Sequence, residues 1–131
     1  MILLDTCVMI FDALAPEQLS KKALTELEKG RQSNSLACSD ISLWEIAMLM
    51  SKGRIKTAMP PRDFLADVVA ANRLHVLPIL PEIACQAAYH ADFIHGDPAD
   101  RIIAATALHH KALLLTCDTR LREMKSLKTA W

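Results

Sequence analysis

Short apolar runs alternate with longer amphipathic segments along this chain of 131 residues, and this alternation restricts the possible fold more than any other feature. The apolar runs of strand length are ILLD, SLACSD, LHVLPI, ALLLTCD and, near the C-terminus, LKTAW. Between them, apolar residues recur every three or four positions, which is typical of helices. These segments are KKALTELEKG, SLWEIAMLMSKG, RDFLADVVAANR, PEIACQAAYHADF, DPADRIIAATALHHK and TRLREM. Alternating strands and helices predict an α/β fold with a parallel sheet covered by helices.

Glycines and prolines mark the ends of several predicted helices. Gly30 and Gly53 stand where a helix end favours a residue in the left-handed conformation. Pro60, Pro81 and Pro98 stand near helix starts, where a missing N–H costs least.

The length and composition favour one globular domain that spans residues 1–131. Domains cluster near about 100 to 150 residues, and a domain of that size buries a substantial core. The apolar fraction is 52% with only three glycines, which argues against disordered and fibrous classes. No apolar stretch approaches the roughly 20 residues that span a bilayer, so we expect no membrane segment.

The four cysteines show neither a CxxC pair nor the spacing of a zinc site, and no secretory leader precedes them. They are Cys7, Cys38, Cys85 and Cys117. We therefore expect buried, reduced thiols in a cytoplasmic protein.

The net charge is balanced, with 15 basic and 15 acidic residues, so the chain as a whole gives no signal for a polyanionic partner. The segment 101–131 is basic, with six basic and two acidic side chains. If a phosphate backbone binds, the candidate contacts are Arg101 and Arg120 from this segment and Lys52 and Arg54 from SKGRIK. The alternative for each of them is a solvated positive surface.

Two of the apolar runs end in a carboxylate, Asp5 after ILL and Asp118 after LLLTC. In an open parallel sheet, ligands bind outside the carboxyl ends of the strands, where the strand order reverses. Two further acids, Glu45 in SLWEIAML and Asp100 in HGDPADRIIAATA, stand at the starts of predicted helices that follow strands. If the two strands are neighbours, all four acids meet at the same edge of the sheet.

Each strand-end acid also has a purely structural interpretation. Asp118 is followed by Thr119 and would be a good N-cap for the last predicted helix. Asp5 could likewise cap a helix that starts near Cys7. Taken singly, neither acid decides between capping and function.

The two helix-start acids have structural alternatives as well. Glu45 stands three residues after Ser42, which is the spacing of a capping box. Asp97 precedes Pro98 and is interpreted as the N-cap of the next helix, a structural role. Asp100 then falls at the third helical position, where the helix dipole favours an acid, although it would also point out of the sheet edge.

Four carboxylates at one edge would need a cation. Two like charges about 4 Å apart repel by roughly 4 kcal/mol at an effective dielectric constant near 20. Carboxylate oxygens without histidine or cysteine partners suit a hard ion, and Mg²⁺ or Mn²⁺ is typical where phosphates are the substrate. The pattern therefore predicts a divalent metal site.

With these residues in place, the chain resembles PIN-domain ribonucleases, specifically VapC-type toxins of type II toxin–antitoxin pairs. The resemblance rests on LLDTCV, SLWEIAMLMSKGRI, HGDPADRIIAATAL and LLTCDTRL, which follow the family's order and spacing over nearly the whole chain. It implies a three-layer α/β/α sandwich with a central, mainly parallel sheet. It also implies that the family's acidic quartet corresponds to Asp5, Glu45, Asp100 and Asp118.

The activity that this resemblance implies is Mg²⁺-dependent endoribonuclease activity, with Mn²⁺ as an alternative ion. One or two ions held by the quartet would activate a water against an RNA phosphodiester. The family's hydroxyl near the last acid corresponds to Thr116, which is expected to hydrogen-bond within the acid cluster, and Thr6 is expected to serve Asp5 in the same way. Cys7 and Cys117 flank the acids where other residue types are often seen, and they are interpreted as packing residues.

The partners that the resemblance implies are an RNA substrate, a cognate antitoxin whose C-terminal segment lies in the active-site groove, and a second copy of the chain in a homodimer. Trp44, beside Glu45, is interpreted as a core residue in preference to a base-stacking platform.

Two other functional classes remain open. A phosphoacceptor signalling domain also places acids and Mg²⁺ at strand ends, but it would have adjacent acids after the first strand, whereas Asp5 is followed by Thr6. A non-catalytic α/β interaction module would keep the fold without a reason to keep four mutually repelling acids. Labelling by acetyl phosphate would identify the first class, and a Mg²⁺-dependent ribonuclease assay would exclude the second.

Overall fold

The computed structural model describes residues 1–93 and 96–131, and a single parallel sheet of five strands organises them. The strands are β1 (Ile2–Leu4), β2 (Leu36–Ser39), β3 (His75–Leu77), β4 (Leu113–Leu115) and β5 (Thr129–Ala130). Their order across the sheet is β3-β2-β1-β4-β5. The chain therefore reverses its direction across the sheet between β1 and β4, which is the place where α/β sheets bind ligands.

Among the described residues, seven α-helices connect and cover these strands. They are α1 (Thr6–Leu14), α2 (Lys21–Gln32), α3 (Asp40–Ser51), α4 (Pro61–Ala71), α5 (Pro81–Tyr89), α6 (Pro98–His109) and α7 (Thr119–Glu123). Two short 3₁₀ turns lie at Pro16–Gln18 and Ala91–Phe93. All the strands and helices expected from the alternating pattern are present, and α1 is the helix near Cys7 that the capping interpretation of Asp5 allowed.

Two hydrophobic cores lie on opposite faces of the sheet, which confirms the predicted α/β/α sandwich. On one face, Ile2 and Leu4 of β1 pack in a cluster with residues of α1, α2, α3 and α4. On the other face, Leu3 packs in a cluster with residues of α5, α6 and α7. Side chains alternate between the faces of a strand, and β1 is buried on both faces, so its three apolar residues in a row are accounted for.

The two glycines have different roles. Gly53 follows α3 with a φ of 69°, which is the left-handed conformation expected there. Gly30 was expected to end a helix, and this expectation is wrong, because α2 continues to Gln32. A Cβ atom at Gly30 would lie 2.8 Å from Leu36 Cγ, so glycine is needed there for the close approach of α2 to β2.

Two expectations about α3 are also wrong. The helix begins at Asp40, directly after β2, so Glu45 lies in its second turn and not at its start. The N-cap is Ser39, and the predicted capping box between Ser42 and Glu45 does not exist, because Ser42 is itself buried within the helix. Trp44 was expected in the core, but 59% of its surface is exposed, because it lies on the outer face of α3.

Within the described ranges, no helix combines the length and the apolar character that a bilayer-spanning segment requires.

Candidate functional site

The four acids of the predicted quartet line one cavity at the carboxyl edge of the sheet. The cavity has a volume of about 230 Å³ and is also lined by Thr6, Cys7 and Cys117. The acids reach it from four separate places in the chain: the end of β1, the second turn of α3, the first turn of α6 and the start of α7. They are Asp5, Glu45, Asp100 and Asp118.

The strand-end acids meet because β1 and β4 are neighbours in the sheet. Leu4 pairs with Leu115, and the backbone N–H of Asp5 donates to the Leu115 carbonyl at 3.0 Å. The two acids also cap helices, as their structural interpretation requires. Asp5 Oδ1 accepts the Thr6 N–H at 2.7 Å, and Asp118 Oδ1 accepts the Leu121 N–H at 3.0 Å. Capping fixes the orientation of each carboxylate and does not remove it from the cavity.

The buried hydroxyl of Thr116 joins the two strand-end acids. It donates to Asp5 Oδ2 at 2.5 Å and accepts the backbone N–H of Asp118 at 3.0 Å. Thr116 is fully buried, so the hydroxyl is not in contact with solvent. The position agrees with the expected hydrogen bond to the acid cluster.

Thr6 contacts the cluster differently from what the sequence suggested. Its hydroxyl lies 2.5 Å from Glu45 Oε1 and 3.0 Å from Ser42 Oγ, whereas Asp5 receives only its backbone N–H. The hydroxyl therefore positions Glu45 and not Asp5. This contact also explains why Ser42 is buried, since it lies on the face of α3 that packs against α1.

Asp97 belongs to the same cluster, which sequence reasoning missed. Its side chain caps α6 by accepting the Ala99 N–H at 2.9 Å, as predicted. Carboxylate oxygens of Asp97, Asp100 and Glu45 also lie within 4.8 Å of one another. The signal was available in the sequence, because an N-cap and the third residue of a helix lie on the same first turn.

Burial and mutual repulsion raise the pKa values of three of these acids. The pKa of Asp100 rises to about 7 from its ordinary 3.8, first because of burial and then because of the charges of Asp5, Asp97, Glu45 and Asp118. Burial also raises the pKa of Asp5, although hydrogen bonds from Thr116, Cys7 and the Thr6 N–H oppose the rise. The pKa of Glu45 is raised mainly by burial, against the hydrogen bond from Thr6.

This donor set fits a divalent cation. It offers carboxylate oxygens, and three of them already lie within 4.8 Å of one another. Raised acid pKa values mean that the cluster is short of positive charge, which a bound cation would supply. Hard ions such as Mg²⁺ and Mn²⁺ prefer ligands of this kind.

A second cavity adjoins the acid cavity and shares Asp100 and Asp118 with it. Its volume is about 330 Å³, and its wall combines the apolar side chains of Phe93, Leu121 and Met124 with Arg120. Arg120 therefore stands beside the acids, with its side chain exposed. The two cavities together form a continuous acidic and partly apolar surface.

The other three basic candidates lie in different surroundings. Arg101 also lines the second cavity, but its guanidinium donates to the carbonyls of Ala87 and Ala88 at 2.9 and 3.0 Å, at the end of α5. Lys52 and Arg54 are exposed just after α3, and neither lines the two cavities formed by the described residues.

The cysteines do not all behave as buried packing residues. Cys38 is buried, but Cys85 is exposed, so the expectation of a buried thiol is wrong there. Cys7 and Cys117 are partly buried and both line the acid cavity. Their sulfur atoms are 3.0 Å apart, and Cys7 Sγ lies 3.4 Å from Asp5 Oδ2. These two thiols belong to the site itself.

The comparisons with known proteins agree over nearly the whole chain. The family profile described as PIN domain matches residues 2–127. The chain is 34% identical to Ribonuclease VapC22 of Mycobacterium tuberculosis in an alignment of 132 positions that covers 99% of this chain and 98% of that protein.

Solved structures share the fold at lower identity. One is VapBC2 of Rickettsia felis bound to a DNA fragment from its promoter, with a TM-score of 0.75 and 19% identity over 99% of this chain and 98% of that one. Another is DNA-bound VapBC of Salmonella typhimurium, with a TM-score of 0.70 and 18% identity over 98% and 96% of the two chains.

Proposed function

The chain belongs to the PIN-domain family, and from this premise we propose that it is a divalent-metal-dependent endoribonuclease and the toxin of a type II toxin–antitoxin pair. The relative named as a ribonuclease, with 34% identity over nearly the whole chain, supports the activity. The observation that carries the proposal is the convergence of four acids from separate segments on one cavity. We further propose that residues 1–131 form one domain.

We propose that the quartet holds Mg²⁺, with Mn²⁺ able to replace it, and that Asp97 assists at the rim. A divalent ion bound there would lower the pKa of a water and neutralise charge on the phosphodiester. The catalytic residues are Asp5, Glu45, Asp100 and Asp118.

The hydrogen bonds of the acids support a proposed role for each of them. Thr116 holds Asp5 and Asp118 in a fixed relation, so these two act as positioned ligands. Thr6 engages Oε1 of Glu45, which leaves Oε2 to accept a proton from the attacking water. Asp100 has a pKa of about 7 in the metal-free protein, so it is partly protonated at neutral pH, and a bound cation would favour its charged form.

The substrate strand is proposed to cross the wall that the two cavities share. Its scissile phosphate would face Asp100 and Asp118, and the next nucleotide would enter the second cavity beside Arg120. Lys52 and Arg54 are proposed as more distant phosphate contacts. Arg101 is proposed as a further contact, through the guanidinium N–H groups that do not donate to the carbonyls of α5.

The partner proposed for this chain is a cognate antitoxin, by analogy with the solved VapBC complexes. We also propose a homodimer, and the cytoplasm as the compartment in which RNA and antitoxin are met.

The test of the activity is a ribonuclease assay of the purified protein with and without Mg²⁺. We expect Mg²⁺-dependent cleavage, and at least about a 100-fold loss in Asp5→Asn, because even indirect partners of metal ligands cost 10- to 100-fold when they are removed. Asp63→Asn, at an exposed acid on α4, is the matched control and should keep full activity. Equal activity in the wild type and Asp5→Asn would refute the proposal.

A further inference from the structure

Cys7 and Cys117 come together only because of the fold. They lie 110 positions apart in the sequence, Cys7 in the first turn of α1 and Cys117 immediately before Asp118, and their sulfur atoms are 3.0 Å apart. A disulfide requires a separation of about 2.0 Å, so a shift of roughly 1 Å would join them. Closing this gap would move the first turn of α1 and the segment after β4, which carry the two thiols, toward each other.

Both thiols are open to small solutes through the cavity that they line. They share this cavity, of about 230 Å³, with the acids, and each is partly exposed. Cys38 is fully buried, and its environment gives it neither a thiol partner nor an opening of this kind among the described residues. Cys7 and Cys117 are therefore both close to each other and accessible to small solutes.

We propose that Cys7 and Cys117 form a reversible disulfide when a hydroperoxide such as hydrogen peroxide oxidises them, and that this bond disables the acid cluster. One thiol loses its proton, its thiolate attacks a peroxide oxygen and breaks the O–O bond to give a sulfenic acid, and the released hydroxide takes up the proton and leaves as water. The second thiol attacks that sulfur, the S–S bond forms, and a second water leaves. Two thiols and one hydrogen peroxide thus give one disulfide and two waters, and a dithiol reductant reverses the change.

The link to the acids is the contact between Cys7 and Asp5. In the reduced protein, the Cys7 thiol donates to Asp5 Oδ2 at 3.4 Å, and the Cys117 thiol can donate in turn to Cys7. A disulfide has no S–H group, so Asp5 loses this donor and faces sulfur lone pairs. The bond also draws together the segments that carry Asp5 and Asp118.

Metal sites tolerate such changes poorly. The side chains of a functional site must be held within about 0.5 Å of their working positions. Joining the two sulfur atoms requires a movement of about 1 Å, which is larger than this tolerance. Loss of a partner of a metal ligand typically weakens metal affinity by about 10- to 100-fold. This second part of the inference rests on the proposed metal site, whereas the disulfide itself does not.

The experiment uses the full chain with Cys85→Ser, which removes the exposed thiol, and compares the reduced form with the form treated with hydrogen peroxide. Intact mass and peptide mapping report the bond, and Mn²⁺ binding followed by electron paramagnetic resonance reports the site. We expect a loss of two hydrogen atoms, a linked peptide pair carrying residues 7 and 117, and at least about tenfold weaker Mn²⁺ binding that dithiothreitol restores.

The control is the double variant Cys85→Ser, Cys117→Ser, whose Mn²⁺ affinity should not respond to peroxide. Two free or separately over-oxidised thiols after treatment would overturn the disulfide, and a disulfide that leaves Mn²⁺ affinity unchanged would overturn its effect on the acids. Failure of the reduced protein to bind Mn²⁺ would instead refute the proposed metal site, while the mass measurement would still decide on the disulfide.

Discussion

Two polar clusters tie distant segments of this chain together, and they treat charge in opposite ways. In the first, Arg31 of α2 donates to Asp12 at 2.6 Å and to Asn72 at 2.7 Å, and Asn72 donates back to Asp12 at 2.7 Å. This triad joins α1, α2 and the end of α4, and it balances its own charge. In the acid cluster, by contrast, four carboxylates line one cavity and Asp97 lies beside them, and none of the ion pairs between described residues involves these five acids.

Under the proposed function, the difference separates a cluster that serves stability from one that serves cation binding. A closed network of paired groups contributes to the free energy of folding, whereas crowded like charges oppose it. Sites that break the rules of stable packing are expected to be functional. The raised pKa values of Asp5, Glu45 and Asp100 show that burial and the neighbouring carboxylates oppose the charged forms of these acids.

The largest effect on stability is expected in the balanced triad. Arg31→Met leaves Asp12 largely buried without its cation, and we expect a loss of about 2 to 3 kcal/mol in the free energy of unfolding, measured by urea denaturation. The control is Lys29→Met, which removes an exposed pair with Glu26 and should cost at most about 0.5 kcal/mol. Equal stability of the two variants would remove the contrast between the clusters.

The next effect concerns the hydroxyl that joins two of the acids. Thr116→Val removes the donor to Asp5 and the acceptor of the Asp118 N–H, and we expect Mn²⁺ affinity to fall by about 10- to 100-fold. The matched control is Thr106→Val, another fully buried threonine, whose hydroxyl donates only to the Ile102 carbonyl of its own helix. If both variants bind Mn²⁺ alike, Thr116 has a packing role only.

The smallest effect is a gain in stability when one repelling charge is removed. The pKa of Asp100 in the folded protein is about 7, above its ordinary 3.8, so the folded state holds the proton more tightly. Stability in EDTA should therefore fall as the pH rises from about 4 through 7. Asp100→Asn mimics the protonated acid, and at pH 8 it should be more stable than the wild type by about 1 kcal/mol, after allowance for solvent screening.

At pH 4 the stability gap between Asp100→Asn and the wild type should shrink, because the wild-type carboxyl is then protonated. Denaturation curves at the two pH values measure both quantities. A variant that is clearly less stable than the wild type at pH 8 would show that the carboxylate acts mainly as a favourable charge at the start of α6.

Most of the strands and helices could be predicted, because a short apolar run indicates a strand and an amphipathic period indicates a helix without information from the rest of the chain. Helix α1 was indicated only by the possible cap at Asp5 and not by a period, since its sequence TCVMIFDAL is almost continuously apolar and lacks a polar face from which a period could be recognised. The boundary of α3 was misplaced for a related reason: β2 passes into the helix without a loop, so no turn residue marks the junction.

The site was predictable to the extent that strand ends and helix starts share an edge of the sheet. The adjacency of β1 and β4, which brings Asp5 to Asp118, had to be assumed, because strand order is a non-local property. For the same reason the contact between Cys7 and Cys117 had no sequence signal. Asp97 was missed because its capping role was sufficient to explain it.

The central claim is that acids from four separate segments share one cation. Mn²⁺ titration of the wild type and of Asp5→Asn, Glu45→Gln, Asp100→Asn and Asp118→Asn tests it most directly. We expect the wild type to bind and every variant to bind at least about tenfold more weakly, because all four carboxylates contribute to the same site. Wild-type affinity in all four variants would contradict it.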